Sequence, residues 1–353
     1  MNRRKVFKWT MLVFNSIIIS FVIYVIMNYV DIRERYIVHK KIITKPRLSW
    51  RHFRDDYLNQ LGFRGRKIEY SDNDYVIILV GDSQVEATTQ DPENMPERLL
   101  ERSINKKNVK VFSVGASGYG ADQEYIAVDE YFKAGYRADL AILWFTQQND
   151  IWNTTFPSHG QGGSLKPTYR LDNGRLIGPD YYATISELEK YLPAPYRLLD
   201  YDQGKRYNKV IEKYPFSEYE NYENDMNHAA VWLEQESDRM LYGCKLVNML
   251  LTKMQQEINS NGGKFVSFYV EYEGFAQDEY WYIKPLGKAM RLTDAAYKRN
   301  VARCMDGIKS FPIRIETKDR HVSADDLHLN LKGNTEAMQK LADYLFENGY
   351  VKR

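Results

Sequence analysis

Tyr75-Val76-Ile77-Ile78-Leu79-Val80-Gly81-Asp82-Ser83-Gln84 is the stretch on which the fold turns. Its first six residues form an unbroken apolar run, too short for a core helix and without the alternation of a half-exposed strand. Such a run, stopped by a glycine, predicts a strand buried on both faces. Working outward, Asn94 caps and Pro96 opens a helix through Glu97-Arg98-Leu99-Leu100-Glu101-Arg102. Val109–Val114 is a second apolar run, closed by the glycine-rich Gly115-Ala116-Ser117-Gly118-Tyr119-Gly120, and a helix follows from about Asp122 to Lys133. Leu140–Phe145 is a third run. This repetition predicts an α/β fold, a three-layer α/β/α sandwich around a parallel sheet. In such sheets ligands bind where loops leave the carboxyl ends of the strands.

Beyond residue 150 the pattern weakens, and 151–235 reads as an insertion. It holds a loop at Gly160-Gln161-Gly162-Gly163, a hairpin around Asn173-Gly174 and a tyrosine-rich stretch from Tyr191 to Tyr222. Regularity returns with a helix over about 236–260, strands at Lys264–Val270 and Phe311–Ile315, and a closing helix from Asn334 to Glu347.

The 353 residues carry 49 Lys and Arg against 47 Asp and Glu, a net charge of +2, with 44% hydrophobic and 27% charged residues. That is a globular composition with no general attraction for a polyanion, so nucleic acid is not an expected partner. Two cysteines, Cys244 and Cys304, exclude an all-cysteine zinc site; they either pair in an oxidising compartment or stay reduced in the core. There is no H-E-x-x-H and no phosphate-binding P-loop, so neither a metal nor another cofactor is expected.

Trp9 to Val30 contains no charged residue. At 1.5 Å per helical residue the segment spans about 33 Å, enough to cross a hydrocarbon core of about 30 Å. No A-x-A-like site follows, so the segment reads as an uncleaved transmembrane anchor rather than a signal peptide. Arg3, Arg4, Lys5 and Lys8 favour a cytoplasmic N-terminus over residues 1–8 and an extracytoplasmic body. Residues 31–70 then form a basic stalk, and 71–353 the body.

Ser83 stands at the carboxyl end of the first strand, where a nucleophile can be exposed. It is not a G-x-S-x-G elbow, because position 85 is Val. Asp325-Asp326-Leu327-His328, near the far end of the chain, offers the base such a serine needs and a carboxylate to orient it. Gly118 and Asn149 lie just beyond the second and third strands, and with the N–H of Ser83 they would furnish donors to an oxyanion.

These four blocks resemble those of the SGNH (G-D-S-L-like) hydrolases, whose members include membrane-anchored bacterial proteins. Gly81-Asp82-Ser83, Ser117-Gly118-Tyr119-Gly120, Asn149-Asp150 and Asp325-x-x-His328 match in order, and Phe63-Arg64-Gly65 and His328-Leu329-Asn330-x-x-Gly333 add to the likeness. Gln84 replaces the usual Leu or Phe, and Gln147 stands where Gly is typical. The resemblance implies a flavodoxin-like sheet and a triad of Ser83 as nucleophile, His328 as base and Asp325 as orienter, with Asp326 the alternative to Asp325. It also implies an oxyanion hole of Ser83, Gly118 and Asn149. The expected activity is cleavage of acyl esters, with cell-envelope glycans as candidate substrates. The alternatives are O-acyl transfer to a surface polysaccharide by the same residues, and an inactive envelope scaffold.

Overall fold

The computed structural model describes residues 15, 16, 18–20, 57–155, 158–159, 164–180, 229–234, 238–272, 279–283, 288–316, 318–323 and 326–352. The chain divides into two units, 1–46 and 47–353.

In the second unit β1 (Tyr75–Gly81) leads through the four-residue α1 (Ser83–Glu86) to α2 (Pro96–Ile104), β2 (Val109–Gly115) and α3 (Ala121–Lys133). Then come β3 (Leu140–Trp144), α4 (Gln147–Thr155), the short β4 (Ser158–His159) and β5 (Ser164–Leu165), and the hairpin β6 (Thr168–Asp172) to β7 (Arg175–Asp180). The second half runs α5 (Asp238–Ser260), β8 (Lys264–Tyr272), β9 (Glu279–Ile283), β10 (Lys288–Leu292), α6 (Asp294–Cys304), β11 (Ser310–Ile315) and α7 (Leu331–Glu347).

Five strands form one sheet in the order β2-β1-β3-β8-β11, every pair parallel. Along β1 the side chains divide strictly by parity. Ile77 and Leu79 face the layer that contains Leu100 of α2 and Met338 and Leu341 of α7. Val76, Ile78 and Val80 face the layer of α3, α5 and α6. All five are fully buried, at about 1.5–3 kcal/mol for each large aliphatic side chain. That burial holds the carboxyl end of β1 rigid, and the order 2-1-3-4-5 puts the topological switch point between β1 and β3. The three-layer parallel fold expected from the apolar runs is the one observed.

Several boundaries differ from the sequence reading. The stalk is shorter than 31–70: Phe63 is fully buried and edge-on to Tyr119 at 6.2 Å, and Asn59 accepts from the N–H groups of Leu61 and Phe63, so the segment from Tyr57 belongs to the body. The insertion starts later than 151, since the buried Ile151–Thr155 complete α4. Its 164–180 portion packs on the core through Tyr169, 6.0 Å from the ring of Tyr125, whereas Tyr191–Tyr222 lies outside the described residues. The anchor over 9–30 also falls almost wholly outside them; its described positions, Asn15, Ser16 and 18–20, are helical and exposed. No helix among the described residues is long and apolar enough to cross a membrane. Cys244 of α5 and Cys304 of α6 form a disulfide.

Candidate active site

The site is assembled on five residues. β1 ends at Gly81, and Asp82 caps α1 by accepting from the Gln84 N–H at 2.9 Å, so that Ser83 stands at the first position of that short helix. Arg64, buried against the far end of α1, donates to the carbonyls of Glu86 (3.1 Å), Ala87 (2.7 Å) and Gln90 (2.7 Å). A guanidinium suits that end of a helix, where backbone carbonyls lack partners.

Each other block docks on this segment. From the far end of the chain, His328 Nε2 lies 2.7 Å from Ser83 Oγ, and His328 Nδ1 lies 2.5 Å from Asp326 Oδ1. A carboxylate only accepts, so Nδ1 carries the proton and Nε2 is left to accept from the serine hydroxyl. The carboxylate that meets His328 Nδ1 is Asp326, the alternative to the Asp325 that the D-x-x-H spacing favours; Asp325 lies outside the described residues. The local reason is that Asp326 Oδ1 also accepts from the backbone N–H of His328 at 3.0 Å, which curls the carboxylate back under the ring. Burial raises the Asp326 carboxyl, but the hydrogen bonds from the His328 backbone and ring outweigh it and hold it below its usual range.

The second block comes in through Ser117, whose N–H donates to Glu86 Oε2 at 2.7 Å and whose hydroxyl bonds the same oxygen. Gly118 follows at φ +72, a left-handed conformation that favours glycine. Among the described residues no acceptor takes up the N–H of Ser83 or of Gly118. Gly120 lets this loop approach the third block, because a Cβ there would lie 2.6 Å from the Thr154 nitrogen.

The third block is held through Asp82. Asn149 Nδ2 donates to Asp82 Oδ2 at 2.5 Å, and Thr146 Oγ1 donates to Asp82 Oδ1 at 3.1 Å. Asn149 Oδ1 accepts from Asn153 Nδ2 at 2.8 Å, one helical turn on, which fixes the sense of the amide. The second Nδ2 hydrogen remains available to an incoming oxygen. Asn153 had no role in the sequence reading, although its i+4 spacing from Asn149 was visible. Gln147 donates to the Val270 carbonyl (3.1 Å) and the Tyr297 hydroxyl (2.7 Å), tying the loop to β8 and α6.

Under these loops lies a buried acidic cluster. Lys166 of the insertion and Asp122 of α3 form a fully buried ion pair in which burial pushes the carboxyl up and the ammonium down, each against the pull of its partner. Glu124 and Asp150 are fully buried beside them, and among the described residues both oxygens of Glu124 and Oδ1 of Asp150 lack hydrogen-bond partners. Burial, reinforced by the Asp82 and Asp122 carboxylates, raises Glu124 well above the usual range. Burial, reinforced by Glu124, does the same to Asp150. Among the described residues no group of three or more His, Cys, Asp or Glu side chains could hold a metal ion.

No family model and no curated protein matches the chain. Solved structures similar to it include TesA (11% identity, 76% of this chain and 97% of that one, TM-score 0.35). The native aryl esterase of M. smegmatis is similar at 10% identity, 77% and 98% coverage and a TM-score of 0.34. Est24, a carbohydrate acetylesterase from Sinorhizobium meliloti, is similar at 10% identity, 77% and 98% coverage and a TM-score of 0.33. At these scores the likenesses add nothing to the chemistry read from the geometry.

Proposed function

We propose that the protein is a serine esterase that cleaves acyl esters through Ser83, His328 and Asp326. The observation that carries this reading is the continuous chain from Ser83 Oγ to His328 Nε2 (2.7 Å) and from His328 Nδ1 to Asp326 (2.5 Å). Ser83 Oγ attacks the ester carbonyl while its proton passes to His328 Nε2. The carbonyl oxygen gathers negative charge and is met by the N–H groups of Ser83 and Gly118 and the spare hydrogen of the Asn149 amide. Collapse expels the alcohol, which takes the proton from His328 and leaves an acyl group on Ser83. Water then attacks that acyl group with His328 again as base, releasing the acid and restoring the serine. The Asp326 carboxylate stabilises the imidazolium in each half.

The fuller reading places this body outside the membrane, anchored by 9–30, with acyl esters of cell-envelope glycans as substrates. Support comes from the uncharged 22-residue segment, from the buried Cys244–Cys304 disulfide, which suits an oxidising compartment, and from the tyrosine-rich insertion. Water is favoured over a sugar hydroxyl as acceptor because the His328 and Asp326 side chains are 42% and 37% exposed, so solvent reaches the base.

The test is release of p-nitrophenol from p-nitrophenyl acetate by the purified chain. Ser83→Ala should remove essentially all turnover, typically several orders of magnitude when a triad member is lost. Equal turnover by that variant would dismiss the assignment. Recovery of the acetyl group on an added glycan instead of as acetate would replace hydrolysis by transfer.

A further inference from the structure

The Gln84 side chain, the departure from the usual apolar residue after the serine, is the polar side chain of the 82–86 segment without a part in the chemistry above. We propose that Gln84 is a positioning residue that sets the reach of His328 to Ser83; the inference rests on the esterase reading and deepens it. The Gln84 side chain is 8% exposed, and its Oε1 accepts from the backbone N–H of Leu329 at 3.2 Å. Leu329 directly follows the base and is itself 1% exposed, its side chain set in the α2–α7 layer. Its carbonyl is held too, accepting from Asn334 Nδ2 at 2.8 Å and from Gln90 Nε2 at 3.4 Å. Both polar groups of the residue beside His328 are therefore tied to side chains, and its N–H goes to the neighbour of the nucleophile.

The chemistry explains why an amide stands there. Among the described residues from His321 to Leu329, the backbone is closed by the His321–Leu329 bridge, by Val322 N–H to the His328 carbonyl (2.9 Å), by Asn330 Nδ2 to the His321 carbonyl (2.9 Å) and by the weaker Ser323–Asp326 contacts at 3.4 Å. Asp326 fixes the rotation of the imidazole, but it rides on the same loop as His328 and cannot fix the distance of that loop from α1. Gln84 can, because it reaches from the nucleophile's own helix across 245 positions of sequence. A leucine in its place would leave the buried Leu329 N–H without an acceptor and let the base drift from Ser83. A displacement of about 1 Å at a reacting group can cost on the order of a hundredfold in rate.

The experiment compares wild type, Gln84→Leu, Gln84→Asn and Gln84→Glu in the full chain. The readouts are p-nitrophenyl acetate turnover, the rate of Ser83 labelling by a fluorophosphonate probe, and Tm. Gln84→Leu should lower kcat and labelling by about 10- to 100-fold with KM changed less than about threefold, the signature of a misplaced base rather than a lost binding contact. Gln84→Asn, one methylene short, should behave similarly and serves if the leucine variant fails to fold. Gln84→Glu keeps an acceptor oxygen at the same reach and should return labelling to within about threefold of wild type. Equal labelling of Gln84→Leu and wild type, or no rescue by Gln84→Glu, would overturn the inference while leaving the esterase standing. A wild type that is not labelled at Ser83 would overturn both.

Discussion

The choice between Asp325 and Asp326 can be settled by substitution, because the geometry predicts both the order and the size of the effects. Asp326 Oδ1 accepts two donors, the Nδ1–H and the backbone N–H of His328. In Asp326→Asn the backbone N–H selects the amide oxygen for that position, so the tautomer of His328 survives and only the negative charge is lost. Two unit charges about 4 Å apart attract by about 1 kcal/mol in bulk water and about 4 kcal/mol at an effective dielectric constant near 20. With side chains 42% and 37% exposed the lower half of that range applies, about 2 kcal/mol of imidazolium stabilisation. At about 1.4 kcal/mol per decade, this is a loss of roughly 30-fold in kcat. Asp326→Ala also removes the acceptor that both donors share. A further cost of about 1–2 kcal/mol for the unsatisfied donors and loosened ring brings the loss to several hundredfold. Stopped-time assays of p-nitrophenyl acetate hydrolysis at saturating substrate measure both, with Asp325→Asn as the control, expected within about threefold of wild type. A larger loss from Asp325→Asn than from Asp326→Asn would refute the reasoning.

Two further outcomes follow from the neighbouring residues. Asn153→Ala frees the Asn149 amide to rotate; losing an oxyanion donor outright costs about 10²–10³ in kcat, so a donor present part of the time should cost about tenfold, with KM little changed, and no loss in Asn153→Ala beside a large loss in Asn149→Ala would contradict it. Glu124→Gln should raise Tm at pH 8 and do nothing near pH 4. The raised carboxyl is protonated in the native state and ionised when unfolded, so from about pH 4.5 upward stability falls as pH rises, by at most about 1.4 kcal/mol per unit, and glutamine escapes that fall. Melts at pH 4, 6 and 8 would expose a constant difference, which would count against it.

What the sequence revealed and what it concealed have physical causes. β1 was legible because six apolar residues in a row have no other economical placement. Ser83, Gly118, Asn149 and His328 stood out as candidates because each ends a strand pattern or sits in a recognisable block. Asp326 stood only as the alternative to Asp325, since spacing says nothing of a carboxylate curling back to the N–H two residues on. α6 escaped notice although its buried positions, Ala296, Tyr297, Asn300, Val301 and Cys304, keep helical spacing. Small and polar residues carry that stripe too weakly to stand out. Phe63 and Ile68 are isolated apolar residues among charges, and only the docking of their segment shows them to be core. The two departures, Gln84 and Gln147, proved to be hydrogen-bonding struts, which no pattern of hydrophobicity announces.

The 245 positions that separate Ser83 from His328 also order events in time. At about 5–20 residues per second, a ribosome that has made Ser83 needs on the order of 12–50 s more to make His328. Throughout that interval the chain carries a serine with nothing to take its proton and an α1 helix with nothing docked on Gln84. On the proposed mechanism a nascent chain is therefore inert towards esters until the segment carrying His328 docks on Ser83 and Gln84. The proposed esterase activity would serve as a clock for the completion of folding.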